Sequence, residues 1–100
     1  MCGRYVLSDT DRLQRRFAVA QLPLELAPQY NVAPGQTLPV VVAGEAGNEV
    51  ALMRWGLIPA WAKDPKIGYR TINARAEGLA DKPSFRTPLR RQRCLVPASV

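Results

Sequence analysis

The 100-residue sequence contains no histidine and only two cysteines, Cys2 and Cys94. A zinc centre needs a set of Cys, His or carboxylate ligands that this inventory does not supply, so no metal and no cofactor is expected. Two thiols are also too few for the disulfide scaffold of a small secreted domain. Cys94 falls in the apolar run Cys94-Leu95-Val96 and is expected to be buried and inert. No apolar stretch approaches the length of a membrane span, and none follows the N-terminal charge as a secretory signal would. The cytoplasm is the expected compartment. Acids are scarce as well: eight Asp and Glu stand against fourteen Lys and Arg, a net charge of +6. Eleven of the fourteen are Arg. Its planar fork suits phosphate, so the balance points towards nucleic acid or another polyanion, although a well-solvated surface would have the same composition. The apolar share of 47% is that of a globular chain rather than a disordered one, and 100 residues allow one domain with a core of modest size.

What the sequence does hold is concentrated first in Met1-Cys2-Gly3-Arg4-Tyr5. Removal of the initiator Met1 leaves Cys2 with a thiol and an α-amine on one residue. An α-amine titrates near about 7.7–8.0, so a useful fraction is neutral at physiological pH. A neutral amine condenses with an aldehyde to a Schiff base, and the neighbouring thiolate closes onto the same carbon to give a five-membered thiazolidine. Arg4 stands close enough in sequence to favour the thiolate and to hold an anionic substrate. A Cys at position 2 is also, in most proteins, simply a small residue beneath a strand.

Along the chain, Cys2–Leu7 reads as a strand. Ser8-Asp9-Thr10-Asp11 resembles a helix start, with Ser8 as cap and acids in the first turn. Leu13, Phe17 and Ala20 then recur at helical spacing, predicting a helix from Asp9 to Ala20 whose arginines form a solvated face. Pro23 and Pro28 end it. Tyr30–Gln36 reads as a structural loop with a Pro34-Gly35 turn. Leu38–Ala43 and Glu49–Trp55 are strands joined by a loop over Gly44–Asn48. Trp55 is expected in the core. Trp61 lies in loop composition, where it either folds back over the core edge or stacks on an unpaired base, a contact worth about 1–3 kcal/mol. Asn73 and Arg75 share a face if the chain is extended, where Asn can orient a reacting group and Arg can clamp a phosphate; alternatively Asn73 caps a helix starting at Ala74. From Lys82 to Arg93 there are five basic residues and no acid. Phe85 and Leu89 suggest a short helix there, with Pro88 limiting it, and Arg93–Val96 returns to strand.

Five blocks combine these pieces. Met-Cys-Gly-Arg at the N-terminus, Tyr-Asn-Val-Ala-Pro (30–34), Met-Arg-Trp-Gly-Leu-Ile-Pro-x-Trp (53–61), Ile-Asn-Ala-Arg-x-Glu (72–77) and Arg-Cys-Leu-Val-Pro-Ala (93–98) resemble, in order, the SRAP family of SOS response-associated peptidases, the abasic-site processing proteins. The N-terminal and Asn-Ala-Arg blocks are the specific ones. The resemblance implies an α+β fold with a curved, barrel-like antiparallel sheet and flanking helices. It also implies a monomeric, bacterial, nucleoid-associated protein of the DNA damage response that crosslinks to abasic sites in single-stranded DNA. Cys2 would form the thiazolidine with the sugar C1′. Asn73 would hold Cys2 and the opening sugar. Arg4 and Arg75 would bind phosphates beside the lesion. Pro34 and Trp61 would form an apolar wedge against flanking bases, and Asn31 would support the site structurally. Peptidase-like self-processing ahead of Cys2 is implied too.

The family domain continues beyond these blocks, through a Gly-x-x-Glu-Trp-like block and a His-containing block that supply a Glu and a His for ring opening and crosslink reversal. Neither is in this sequence. Residues 1–100 are therefore expected to be the N-terminal portion of one SRAP domain, with a sheet truncated on its C-terminal side. The alternative is a non-catalytic module that grips single-stranded DNA. A protease acting on other proteins is disfavoured, because no nucleophile–base pair is available within the chain.

Overall fold

The computed structural model describes residues 3–19, 22 and 26–99. Among these residues four strands form two antiparallel ladders: β1 (Tyr5–Leu7) with β2 (Gln29–Val32), and β3 (Thr37–Gly44) with β4 (Gly47–Arg54). The second ladder is regular from Thr37↔Arg54 to Gly44↔Gly47, so the turn is tighter than the expected 44–48 loop. A short helix α1 (Leu13–Arg16) connects β1 to β2, and a 3-10 helix (Pro65–Arg70) and a second short helix α2 (Arg86–Arg91) follow β4.

The fold is α+β, as expected, but the described residues do not close a barrel. Closure requires every sheet edge to find a partner. Instead, the stretch after α2 joins the ladders at two points. Leu95 exchanges both backbone hydrogen bonds with Val41, at 2.9 Å each, and Ser99 N donates to Val6 O at 2.7 Å. Residues 95–99 thus link the edges of β3 and β1 that face away from β4 and β2. Along the outer edge of β4 the described residues place one bridge, Val19 to Asn48.

The core is aliphatic. Val32, Leu38 and Val40 form its centre, with Tyr5, Val42, Ala51 and Trp55 packed against them. Alternate residues of β3 face opposite sides of the sheet. Leu38, Pro39, Val40 and Val41 are nevertheless all buried, so β3 is covered on both faces.

The expected helix over Asp9–Ala20 is much shorter. A 3-10 turn (Thr10–Arg12) leads into the single turn of α1, and Ala18 then takes the left-handed conformation, φ 53°. The apolar anchors are Leu13 and Val19, both 3% exposed. Val19 is brought to β4 by Asn48, whose Nδ2 donates to Phe17 O at 2.7 Å and terminates the helix. Ser8 is not a cap: its backbone N–H donates to Ser99 Oγ at 2.9 Å. Ala20 and Pro23 lie outside the described residues.

Two further expectations change. Gln29–Val32 is a strand rather than loop, with Val32 fully buried where it pairs with Tyr5. Cys94 is exposed, not buried. Cys94 and Val96 border an open concavity of about 820 Å³ beside β3, and Leu95 and Val96 are exposed with it. In α2, Pro88 sits in the first turn, where a missing N–H removes no helical hydrogen bond.

Candidate nucleic-acid interface

The candidate site is assembled around Trp55, at the exit of β4. Its backbone extends the β3–β4 ladder by one pair, accepting from Gly35 N at 2.9 Å and donating to Gln36 O at 3.0 Å. Ala33-Pro34-Gly35-Gln36 is closed by Gln36 N to Ala33 O at 3.2 Å, with Gly35 at φ +86°. Pro at the second position and a positive-φ Gly at the third make a type II turn. Gln36 Oε1 also accepts from Ala33 N at 3.0 Å. The half-buried Pro34 is therefore presented on a turn fastened at both ends.

The indole of Trp55 makes two further connections. Its ring lies 5.7 Å from that of Tyr5, tilted by 52°, which joins it to the N-terminal strand. Its Nε1–H donates to Ile72 O at 3.0 Å, which fixes the segment leading into Asn73. That segment is held from its other side by Thr71 Oγ1, which donates to Leu57 O. Close contact of the backbones at Gly56 and Gly68 makes this possible: a Cβ on Gly56, at φ +125°, would stand 2.5 Å from Gly68 O.

Cys2 lies outside the described residues. Arg4, two positions on, is exposed, and its Nη1 donates to Asn31 Oδ1 at 3.3 Å. Asn31 thus restrains the arginine from the adjacent strand. Asn73 is half-buried and Arg75 exposed, on a stretch without regular structure; no helix begins at Ala74. Trp61 is 59% exposed, so it does not fold back over the core edge. It stands on the wall of its own concavity.

Two side chains at the site carried no signal in the sequence reading. Tyr69, 57% exposed, backs the turn so closely that a Cβ on Gly35 would stand 3.1 Å from its Cε1. The Arg54 guanidinium lies 5.3 Å from the Tyr69 ring centroid, within cation–π range. Trp55, expected in the core, packs against it and also makes the connections to Tyr5 and Ile72. The contacts of Tyr69, Arg54 and Trp55 join residues far apart in sequence, where neither periodicity nor spacing reports them.

The arrangement defines a class of small α+β unit in which an N-terminal strand, a Pro-Gly turn and an Asn-Ala-Arg segment meet at one tryptophan, beside exposed basic and aromatic side chains. The chain belongs to the SRAP family: the family model for SOS response associated peptidase (SRAP) matches residues 1–100. It is 52% identical over 101 residues to the abasic site processing protein YoqW of Bacillus subtilis, covering 98% of this chain and 45% of that one. It is 34% identical to the abasic site processing protein HMCES of Mus musculus, over 83% of this chain and 27% of that one. A crystal structure of a Bordetella bronchiseptica protein superposes with a TM-score of 0.73 at 27% identity, covering 97% of this chain and 48% of that chain. The chain spans about half the length, or less, of the curated relatives it matches. No helix among the described residues is long and apolar enough to cross a membrane.

Proposed function

We propose that the chain serves in abasic-site processing, as a covalent sensor of abasic sites in single-stranded DNA. The names of its relatives support this reading. One structural observation carries it furthest: Trp55 draws the strand that follows Cys2, the Pro34–Gly35 turn and the Ile72–Asn73 segment together.

With Met1 removed, the α-amine of Cys2 condenses with the aldehyde of the ring-opened sugar, releasing water and leaving an imine at C1′. The thiol sulfur then adds to the imine carbon, the nitrogen takes the thiol proton, and the thiazolidine closes. Asn73 orients the amine and the opening sugar, and Arg4 and Arg75 hold the flanking phosphates. Asn31 keeps Arg4 in place, while Pro34 and Trp61 meet the flanking bases. In this reading residues 1–100 correspond to the N-terminal portion of a single SRAP domain acting as a monomer at the bacterial nucleoid, and peptidase-like processing serves to expose Cys2.

The second reading is a module that grips single-stranded DNA without chemistry; the Arg excess and the exposed Trp61 favour it. A denaturing gel separates the two. Met1-free protein is mixed with a single-stranded oligonucleotide carrying one abasic site, with intact DNA and Cys2→Ala as controls. A shifted band that disappears in Cys2→Ala is expected. Absence of that band from folded wild-type protein overturns covalent capture and leaves the binding module.

A further inference from the structure

Tyr69 is a large aromatic left 57% exposed at a place the fold secures without it. The Ala33–Gln36 turn that it backs is closed by two hydrogen bonds between Gln36 and Ala33, and Gly35 N ties the turn to Trp55 O. None of these bonds uses the phenol. What the ring adds is packing: a Cβ on Gly35 would stand 3.1 Å from its Cε1 and 3.3 Å from its hydroxyl oxygen. The exposed Arg54 guanidinium lies 5.3 Å from the ring centroid. The contacts close a circuit. Gly35 is bonded to Trp55, Gly56 is pressed against the buried Gly68, and Tyr69 packs back onto Gly35. Both halves of the proposed site hang from it. Pro34 immediately precedes Gly35, and the stretch from Tyr69 to Asn73 is pinned by Thr71 Oγ1 donating to Leu57 O and by Trp55 Nε1 donating to Ile72 O.

We propose that Tyr69 is a positioning residue that sets the Pro34 turn at a fixed separation from the Asn73 segment, so that the base met by Pro34 and the sugar oriented by Asn73 reach Cys2 in register. Arg54 holds the ring in the orientation that does this. In this role the phenol touches neither sugar nor base; it acts through Pro34. A turn free to shift by about 1 Å would still bind DNA, but it would present the C1′ aldehyde off the line of the amine, and a misplacement of that size costs up to about 10²-fold in rate. The inference rests on the proposed capture of abasic sites by Cys2.

The test measures the initial rate of crosslinking by Met1-free protein against the concentration of a single-stranded oligonucleotide carrying one abasic site. Tyr69→Ala is expected to lower the saturating rate about tenfold and to leave the half-saturating concentration within about twofold, which marks lost alignment rather than lost binding. Tyr69→Phe keeps the ring and should restore the wild-type rate, with Arg54→Ala between the two. The double variant Pro34→Ala/Tyr69→Ala should be no slower than the slower single variant, because both act through one turn. Urea midpoints check folding; where Tyr69→Ala does not fold, Tyr69→Leu takes its place and should match Arg54→Ala. A second readout needs no chemistry. In a Cys2→Ala background, 2-aminopurine beside the abasic site brightens when Pro34 separates it from its neighbour; Tyr69→Ala should lose most of that gain and Tyr69→Phe should keep it. A raised half-saturating concentration at an unchanged saturating rate makes Tyr69 a DNA contact and overturns the positioning role, as does additivity in the double variant. A wild-type crosslink with no difference between the Tyr69 variants defeats the positioning role alone. No wild-type crosslink, with the fluorescence contrast intact, defeats covalent capture alone.

Discussion

Strands β3 and β4 have the same length and pair residue for residue, yet their surroundings are opposite. β3 is buried along Leu38–Val41, whereas β4 is exposed except for Val50 and Ala51. Leu38, at 4% exposure, pairs with Met53, at 44%. Hydrogen bonding is shared equally between the strands, so pairing alone does not decide what a position contributes. Coverage does. β3 has Leu95 along one edge and side chains over both faces, while among the described residues β4 has one bridge on its outer edge.

The comparison predicts unequal responses to the same truncation. Leu38→Ala should lower stability by about 2–5 kcal/mol, through lost burial and the cavity left behind. Met53→Ala at the paired position should stay within about 0.5 kcal/mol. Urea midpoints measure both, and equal losses would mean that β4 is covered as well as β3. Gly35→Ala tests the entry to β3. A left-handed φ and a Cβ crowded against Tyr69 should cost about 1–2 kcal/mol, read from the same midpoints. Trp55→Phe tests the exit of β4. It keeps the ring near Tyr5 but removes the hydrogen bond to Ile72 O, for a loss of about 1 kcal/mol. Its crosslink yield on an abasic oligonucleotide should fall more than its stability does, because the segment leading into Asn73 loses its tether.

The contrast also explains what was legible in the sequence. The β3–β4 ladder could be read because its apolar runs and turn residues are local signals. β2 could not: Tyr30-Asn31-Val32 carries one apolar residue facing the core, and its strand character comes from pairing with β1. The local sequence overstates the helix, because Leu13 and Phe17 fit helical spacing while the contact that ends α1, from Asn48 to Phe17, spans thirty-one residues. Cys94 is exposed because an apolar run is not in itself a burial signal: Leu95 and Val96 beside it are exposed too. At the candidate site the residue types were legible as motif blocks, and the Pro34-Gly35 turn came directly from its chemistry. The role of Trp55 was not, since its partners Tyr5, Gly35 and Ile72 are brought to it only by the fold.

The link between residues 95–99 and β1 has a consequence for how the molecule is made. Ser99 accepts through its hydroxyl from the backbones of Ser8 and Asp9, and its own N–H reaches Val6 O. One edge of β1 therefore has no partner until nearly the last of these residues has been synthesised. At about 5–20 residues per second, translation leaves several seconds between the appearance of Val6 and that of Ser99. Through that interval one edge of β1 stays unpaired, and the N-terminal strand is secured from both sides only once Ser99 has emerged.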